Sequence, residues 1–132
     1  MSKYRSKRIT VGGMTFDSTK EYKRWCELNL LLRAGKITDL ERQVKFELIP
    51  AQKRVVQTGE QYKRNSFALG ISKGDPKTKE VCIEKPCVYI ADFVYRDNGM
   101  QVVEDTKGFQ TEAYIIKRKL MLHIHGIRIK EV

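Results

Sequence analysis

Two runs of β-branched and aromatic residues flank Asn98-Gly99, and this arrangement constrains the fold more than any other part of the sequence. The runs cover residues 87–95 and 100–107. Asn-Gly favours the two positive φ angles of a type I′ turn, so the sequence predicts an antiparallel hairpin with a two-residue loop. In the register set by that loop, Asp92 lies directly opposite Asp105.

The predicted hairpin places charged groups on an apolar face. Lys107 lies two residues after Asp105 and projects from the same side of the strand. The surrounding positions on that face are apolar: Ile90, Val94 and Val103. Opposed carboxylates repel each other, and charges among apolar side chains are costly unless compensated. A divalent cation such as Mg²⁺, which prefers carboxylate oxygens, would compensate them.

The same hairpin has a simpler interpretation. Lys107 could form a surface salt bridge with Asp105, while Asp92 is solvated at the end of its strand. Because motifs this short occur by chance, the hairpin alone leaves both interpretations open.

The remaining pattern predicts one α/β domain over residues 1–132. Residues 1–10 form a basic tail, residues 9–16 a short strand or extended segment, and a helix then runs from a capping box at Ser18 and Glu21 to Gly35. Alternation over residues 44–48 predicts a strand. Residues 57–86 are polar and predict an insertion or excursion, with residues 67–71 and 81–83 as a minor hairpin. After the main hairpin come a helix from Thr111 to Gly126 and a strand over residues 127–132.

The charge of the chain indicates its class of partner. The sequence has 26 Lys and Arg against 16 Asp and Glu, a formal net charge of +10. Such an excess favours a polyanionic partner such as nucleic acid. Lys117, Arg118 and Lys119 on the second predicted helix are candidates for phosphate contacts, and a solvated helix face explains them equally well.

The cysteines and the hydropathy pattern indicate the compartment. The three cysteines, Cys26, Cys82 and Cys87, form an odd set without the spacing of a disulfide framework, which is typical of a reducing cytoplasm. The N-terminal residues lack the apolar stretch of a signal peptide, and no run has the length of a membrane span. We therefore expect a cytoplasmic protein without a membrane partner.

The order helix, strand, strand, strand, helix, strand, together with Asp92 and the Asp105-Thr106-Lys107 triplet, resembles the PD-(D/E)XK nuclease superfamily. The signature of that superfamily is an acid followed by acid-X-Lys on the next strand. Three segments also resemble a group of small phage and prophage proteins described as a domain of unknown function. These segments are Phe-Asp-Ser-Thr-Lys-Glu, Tyr-Ile-Ala-Asp-Phe-Val-Tyr and Val-Val-Glu-Asp-Thr-Lys-Gly.

The resemblance implies a restriction-endonuclease-like core with a central mixed sheet flanked by helices. It implies that Asp92 and Asp105 bind Mg²⁺ or Mn²⁺ and that Lys107 positions the attacking water. Glu21 matches the helix glutamate that completes the metal site in many members, but a purely capping role is equally open. Glu104 is expected to face away from this site. Ala91 stands where the signature has proline.

The resemblance further implies an endonuclease acting on double-stranded or branched DNA, with Holliday junction resolution preferred within the class. Symmetric cutting of two strands would favour a homodimer. The rival hypothesis is a noncatalytic DNA-binding or phage assembly factor that retains the nuclease-like fold as a basic platform.

Overall fold

The computed structural model describes residues 7–132, and it combines eight strands with two α-helices. The part of the predicted basic tail that contains Lys3 and Arg5 lies outside the described residues. In chain order the elements are β1 (Ile9–Val11), β2 (Met14–Phe16), α1 (Thr19–Arg33), β3 (Thr38–Ile49), β4 (Gln52–Gln61), a 3₁₀ helix (Phe67–Leu69), β5 (Pro76–Glu84), β6 (Cys87–Asp97), β7 (Met100–Asp105), α2 (Glu112–His125) and β8 (Lys130–Glu131).

The chain divides into two compact units. The first contains residues 1–48 and 88–132, and the second contains residues 49–87. The first unit has a four-stranded mixed sheet in the order β3-β6-β7-β8 and the short β1-β2 hairpin. Pairing is antiparallel between β6 and β7 and parallel between β7 and β8. The expected mixed α/β class with a central sheet and two helices is therefore confirmed.

The main hairpin has the predicted loop and register. Asn98 and Gly99 both have positive φ angles, +51° and +76°, as a type I′ turn requires. The strands pair from Asp97 with Met100 to Phe93 with Glu104. The regular ladder ends there, one pair before Asp92 and Asp105.

The helix boundaries follow the predicted capping signals. The Ser18 side chain accepts a hydrogen bond from the Glu21 amide of α1, and Thr111 accepts one from the Tyr114 amide of α2. Gly126 ends α2 in the left-handed conformation, with φ +66°. The final strand is shorter than residues 127–132, because only Lys130 and Glu131 pair with β7.

The core beneath α1 is apolar and aromatic. Leu28 of the predicted helix stripe is fully buried and packs with Ile37, Phe93 and Tyr95. Trp25 is partly buried against this cluster and stacks on Phe93 with 6.0 Å between ring centroids.

The second unit is inserted between the two segments of the first and contains a two-stranded sheet. Strands β4 and β5 pair antiparallel, so residues 81–83 pair with the 52–57 segment and not with residues 67–71, as the minor hairpin required. Residues 67–69 form a 3₁₀ turn instead. The minor hairpin was therefore wrong, because a two-stranded ribbon exposed on both faces needs little apolar alternation and its true pairing left no clear pattern.

The cysteines and the helices are the features on which the predicted compartment depends. All three cysteines have free thiols. Neither helix among the described residues is long and apolar enough to cross a membrane.

Candidate functional site

A cavity of about 310 Å³ in the first unit gathers three of the four predicted site residues. Glu21 of α1, Asp92 of β6 and Lys107 after β7 all line it. The fourth residue, Asp105, is completely buried. Burial, followed by charge repulsion from Asp92, raises the pKa of Asp105, so the two carboxylates are electrostatically coupled.

The Asp105 carboxylate is hydrogen-bonded through one oxygen, and its other oxygen is left open in the sense that no donor pairs with it. Tyr89 donates a hydrogen bond from its hydroxyl to Asp105 Oδ2 at 2.5 Å. Asp105 Oδ1 is buried and accepts no hydrogen bond from any described residue, although Lys107 Nζ lies 3.5 Å away. An incompletely paired buried carboxylate oxygen is costly, and it is the kind of oxygen that a bound cation would satisfy.

Asp92 is fixed by the residue that follows Asp105. Its Oδ2 accepts hydrogen bonds from the Thr106 amide at 2.9 Å and from the Thr106 hydroxyl at 2.8 Å. The predicted direct pairing of Asp92 with Asp105 is thus replaced, past the end of the ladder, by a side-chain contact with Thr106. Since Oδ1 receives only a long 3.5 Å contact from Gln43, it retains acceptor capacity.

Glu21 both caps the helix start and lines the cavity. It is almost fully buried, and its Oε2 accepts a hydrogen bond from the Asp17 amide at 3.1 Å. Its Oε1 accepts a 3.1 Å hydrogen bond from Gln43 and lies 3.7 Å from an Arg42 nitrogen. Burial, followed by the charge of Asp92, raises the pKa of Glu21. The capping role is therefore present in the structure, and the metal-binding role remains a prediction.

Gln43 links Glu21 and Asp92, and its backbone adopts an uncommon conformation. Its amide group reaches both carboxylates, while its φ angle of +53° is in the left-handed region. A non-glycine residue there costs about 1–3 kcal/mol, and such strain concentrates at functional sites. This conformation occurs within β3 at the residue whose side chain reaches both acids.

Lys107 is the lysine that lines this cavity beside Glu21 and Asp92. About one third of its side chain is exposed, and its ammonium group lies 5.1 Å from the centre of the Tyr114 ring. Contact with both Asp105 and an aromatic ring favours a charged, oriented ammonium group at the cavity wall. The salt bridge of the simpler interpretation therefore exists, but its carboxylate is buried.

The carboxylates of this site are few in number for a metal ion held by protein ligands alone. Within residues 7–132, no group of three or more His, Cys, Asp or Glu side chains is arranged to hold one. Asp92 and Asp105 form a smaller set, which suits Mg²⁺, since that ion commonly takes one or two carboxylates with waters and phosphate oxygens. The open oxygen of Asp105 makes these two residues a fit for Mg²⁺ or Mn²⁺.

The three basic residues predicted to contact DNA differ in environment. Arg118 is half-buried and pairs with Glu131 at 2.9 Å, which ties α2 to β8. Lys117 is half-buried and Lys119 is exposed. The ion pair gives Arg118 a structural role, and the phosphate contacts of all three residues remain a prediction.

A family model described as "Protein of unknown function (DUF1064)" matches residues 1–130. The chain belongs to this family. No curated protein and no solved structure matches the chain. The predicted resemblance to a group of unknown function is thereby confirmed. The family description names no activity, so the PD-(D/E)XK assignment is taken up below as a proposal.

Three residues of this DUF1064 site were not predicted from the sequence: Gln43, Tyr89 and Thr106. Thr106 occupies the variable position of the acid-X-Lys triplet, and the motif assigns a role only to the residues on either side of it. Tyr89 and Gln43 reach the acids only through the folded arrangement of β3, β6 and β7. In the sequence, Tyr89 lies three residues before Asp92 in an aromatic strand. This position fits a core tyrosine as well as it fits a site residue.

The Asp105 carboxyl predicts a pH-dependent stability for the metal-free protein. Burial, followed by the charge of Asp92, raises its pKa from 3.8 to about 7. Between those values the folded state binds more protons than the unfolded state, so the unfolding free energy falls as pH rises through this window. The loss is at most about 4 kcal/mol. Glu21, whose pKa is also raised, acts in the same direction.

Urea unfolding in EDTA at pH values from 5 to 8 would measure this loss. We expect Asp105→Asn to become progressively more stable than the wild type with rising pH, and the difference to level off above pH 7. A difference that is the same at every pH would contradict the raised pKa.

Proposed function

We propose that this family member is a divalent-metal-dependent DNA endonuclease with a PD-(D/E)XK-type, restriction-endonuclease-like core. The observation that carries the proposal is the buried Asp105, whose Oδ1 is open beside Asp92 and Lys107. Supporting it, the first unit runs helix, three strands, helix and strand from α1 to β8, and the net charge of +10 suits DNA.

The proposed chemistry assigns the metal to the two aspartates. Asp92 and Asp105 would hold Mg²⁺ or Mn²⁺. When bound, the metal would polarise the phosphodiester and lower the pKa of a water molecule. Thr106 fixes Asp92 through its two hydrogen bonds, and Tyr89 occupies Asp105 Oδ2, which leaves Oδ1 for the cation.

The other site residues would orient reactants and balance charge. Lys107 would donate a hydrogen bond to the attacking water or to the phosphate oxygen on which negative charge develops. Both Glu21 oxygens already accept hydrogen bonds. This favours a positioning role for Glu21 through Gln43, with direct metal binding as the alternative. Lys117 and Lys119 would contact the DNA backbone.

The experiment that tests this function is cleavage of three DNA forms by the purified chain. Supercoiled plasmid, linear duplex and synthetic four-way junctions would each be incubated with Mg²⁺, Mn²⁺ or EDTA. We expect phosphodiester cleavage with either metal, none with EDTA, and preference for the junction as a structure-selective substrate. Symmetric nicking of opposite junction strands, with a dimeric mass in light scattering, would support a homodimer.

Salt-sensitive DNA binding without cleavage in any metal would overturn the nuclease proposal. That result would support the noncatalytic DNA-binding or phage assembly role, because counterion release requires no divalent ion.

A further inference from the structure

The second unit ends in an ordered tip that the proposed nuclease chemistry does not use. Residues 62–75, called the arm tip here, connect β4 to β5. Ser66 and Ile71 exchange two backbone hydrogen bonds, of 2.7 and 3.0 Å, and the Gly74 amide donates to the Tyr62 carbonyl at 2.8 Å. The Asn65 side chain accepts a hydrogen bond from the Lys73 amide. These bonds give the tip a defined backbone conformation.

The arm tip presents two large apolar side chains to solvent. Phe67 is 97% exposed and Leu69 is 74% exposed, both on the single-turn 3₁₀ helix. Gly70 ends that turn with φ +66° and donates its amide hydrogen to the Phe67 carbonyl. Because an exposed aromatic ring contributes almost nothing to folding, its placement on an ordered turn indicates contact with a partner.

The charge of the arm tip identifies the class of that partner. Lys63, Arg64 and Lys73 are exposed, and the one acid of residues 62–75, Asp75, accepts a hydrogen bond from the Ser72 amide at 2.7 Å, so the tip has a net charge of +2. An aromatic ring among cationic side chains is the composition that binds nucleic acid, in which phosphates pair with the cations and a base stacks on the ring. Two copies of this tip carry like charge, which disfavours their contact with each other.

We propose that the arm tip is a second DNA-binding site, at which Phe67 stacks on or wedges against a base that is unstacked at a branch point. Lys63, Arg64 and Lys73 bind the flanking phosphates. Leu69 adds an apolar contact beside the ring, as wedging side chains do in proteins that kink DNA. The choice of DNA as the polyanion rests on the proposed nuclease function. Stacking requires an accessible base face, so the site selects branched over continuous duplex DNA.

Equilibrium binding of the full chain, measured in EDTA so that no cleavage occurs, tests this site. The probes are an immobile four-way junction with a fluorescent purine analogue at the branch point and a linear duplex of the same length. We expect Phe67→Ala to weaken junction binding at least about fivefold and to leave duplex binding nearly unchanged. Phe67→Trp should retain junction affinity and quenching of the analogue. Met100→Ala, at a 73% exposed position of the main hairpin, is the matched control.

The cationic part of the site is tested by salt dependence. We expect simultaneous Lys63→Ala, Arg64→Ala and Lys73→Ala replacements to lower the slope of log affinity against log salt by roughly 2–3. Replacing the exposed Lys23, Lys36 and Lys45 by Ala makes the same change in net charge. An equal loss of slope in this control would show a general charge effect and overturn the site.

The outcomes separate this proposal from the nuclease proposal. Junction binding by Phe67→Ala equal to that of the wild type would overturn the arm-tip site and leave cleavage by the wild type unaffected. Phe67-dependent binding without cleavage by the wild type would keep the site and overturn the nuclease. A change in the mass of the protein alone on Phe67→Ala, with DNA binding unchanged, would assign the ring to self-association instead.

Discussion

Asp105→Asn is expected to lower the rate of DNA cleavage in Mg²⁺ by at least about 10³-fold. Asparagine has nearly the shape of aspartate but no charge, so the open oxygen beside Asp92 would no longer bind a cation strongly. In the proposed function, a bound metal would contribute several kcal/mol of transition-state stabilisation, which corresponds to a loss of this size. Single-turnover cleavage of a four-way junction with saturating enzyme would measure the effect on chemistry apart from binding.

Lys107→Ala should lower the same rate by roughly 10²–10³-fold, because it removes one oriented donor to developing charge. Two exposed residues supply matched controls, Asp97→Asn at the hairpin turn and Lys36→Ala after α1. Both should cleave at the wild-type rate. Cleavage that persists in Asp105→Asn and Lys107→Ala would show that another site or a contaminant is responsible.

The second large effect concerns stability and lies on the other side of β7. Glu104 is fully buried, and Arg24 of α1 pairs with both of its oxygens through two hydrogen bonds of 2.8 Å. Tyr95 also donates to Glu104. Arg24→Ala would leave a buried carboxylate without its cation, so we expect a loss of about 3–5 kcal/mol in unfolding free energy.

Chemical denaturation at pH 7 would measure that loss. Glu27 supplies the control, because it contacts the same Arg24 side chain at 2.9 Å but is 62% exposed. Glu27→Ala should change the unfolding free energy by no more than about 1 kcal/mol. Equal losses of unfolding free energy in Arg24→Ala and Glu27→Ala would show that the buried Arg24–Glu104 pair stabilises the fold no more than the exposed Arg24–Glu27 pair. Arg24→Met combined with Glu104→Leu should recover much of the loss, because no buried charge remains.

The sequence predicted the features that depend on local signals. Asn98-Gly99 specified the turn and therefore the register, and Ser18 and Thr111 specified the helix starts. Of the three predicted residues that line one cavity, Asp92 and Lys107 depend on that register, and Glu21 depends on the start of α1. The order of the core elements depends on periodicity, which the alternating strands and the two helices displayed clearly.

The features that were not predicted depend on distant contacts. Arg24 and Glu104 are 80 positions apart, and nothing in the local pattern around Glu104 indicated that it is buried. The Gln43 contact with Asp92 spans 49 positions and requires an unusual backbone angle that no local motif requires. The β4-β5 pairing was hidden by a polar composition, because an exposed ribbon is stabilised mainly by backbone hydrogen bonds between its strands.

Two consecutive buried acids on β7 have partners on opposite sides of the strand. Glu104 meets Arg24, whereas Asp105 meets Tyr89 and Lys107. A slip of this strand by one residue would move each acid to the opposite side of the strand. Arg24 would then no longer face Glu104, and the longer Glu104 side chain would lie on the cavity side. The requirement for a stable fold and the requirement for a correctly placed acid thus select the same alignment of the strand. Mutations that loosen the Arg24 contact would therefore also reduce the accuracy with which the cavity presents its acids.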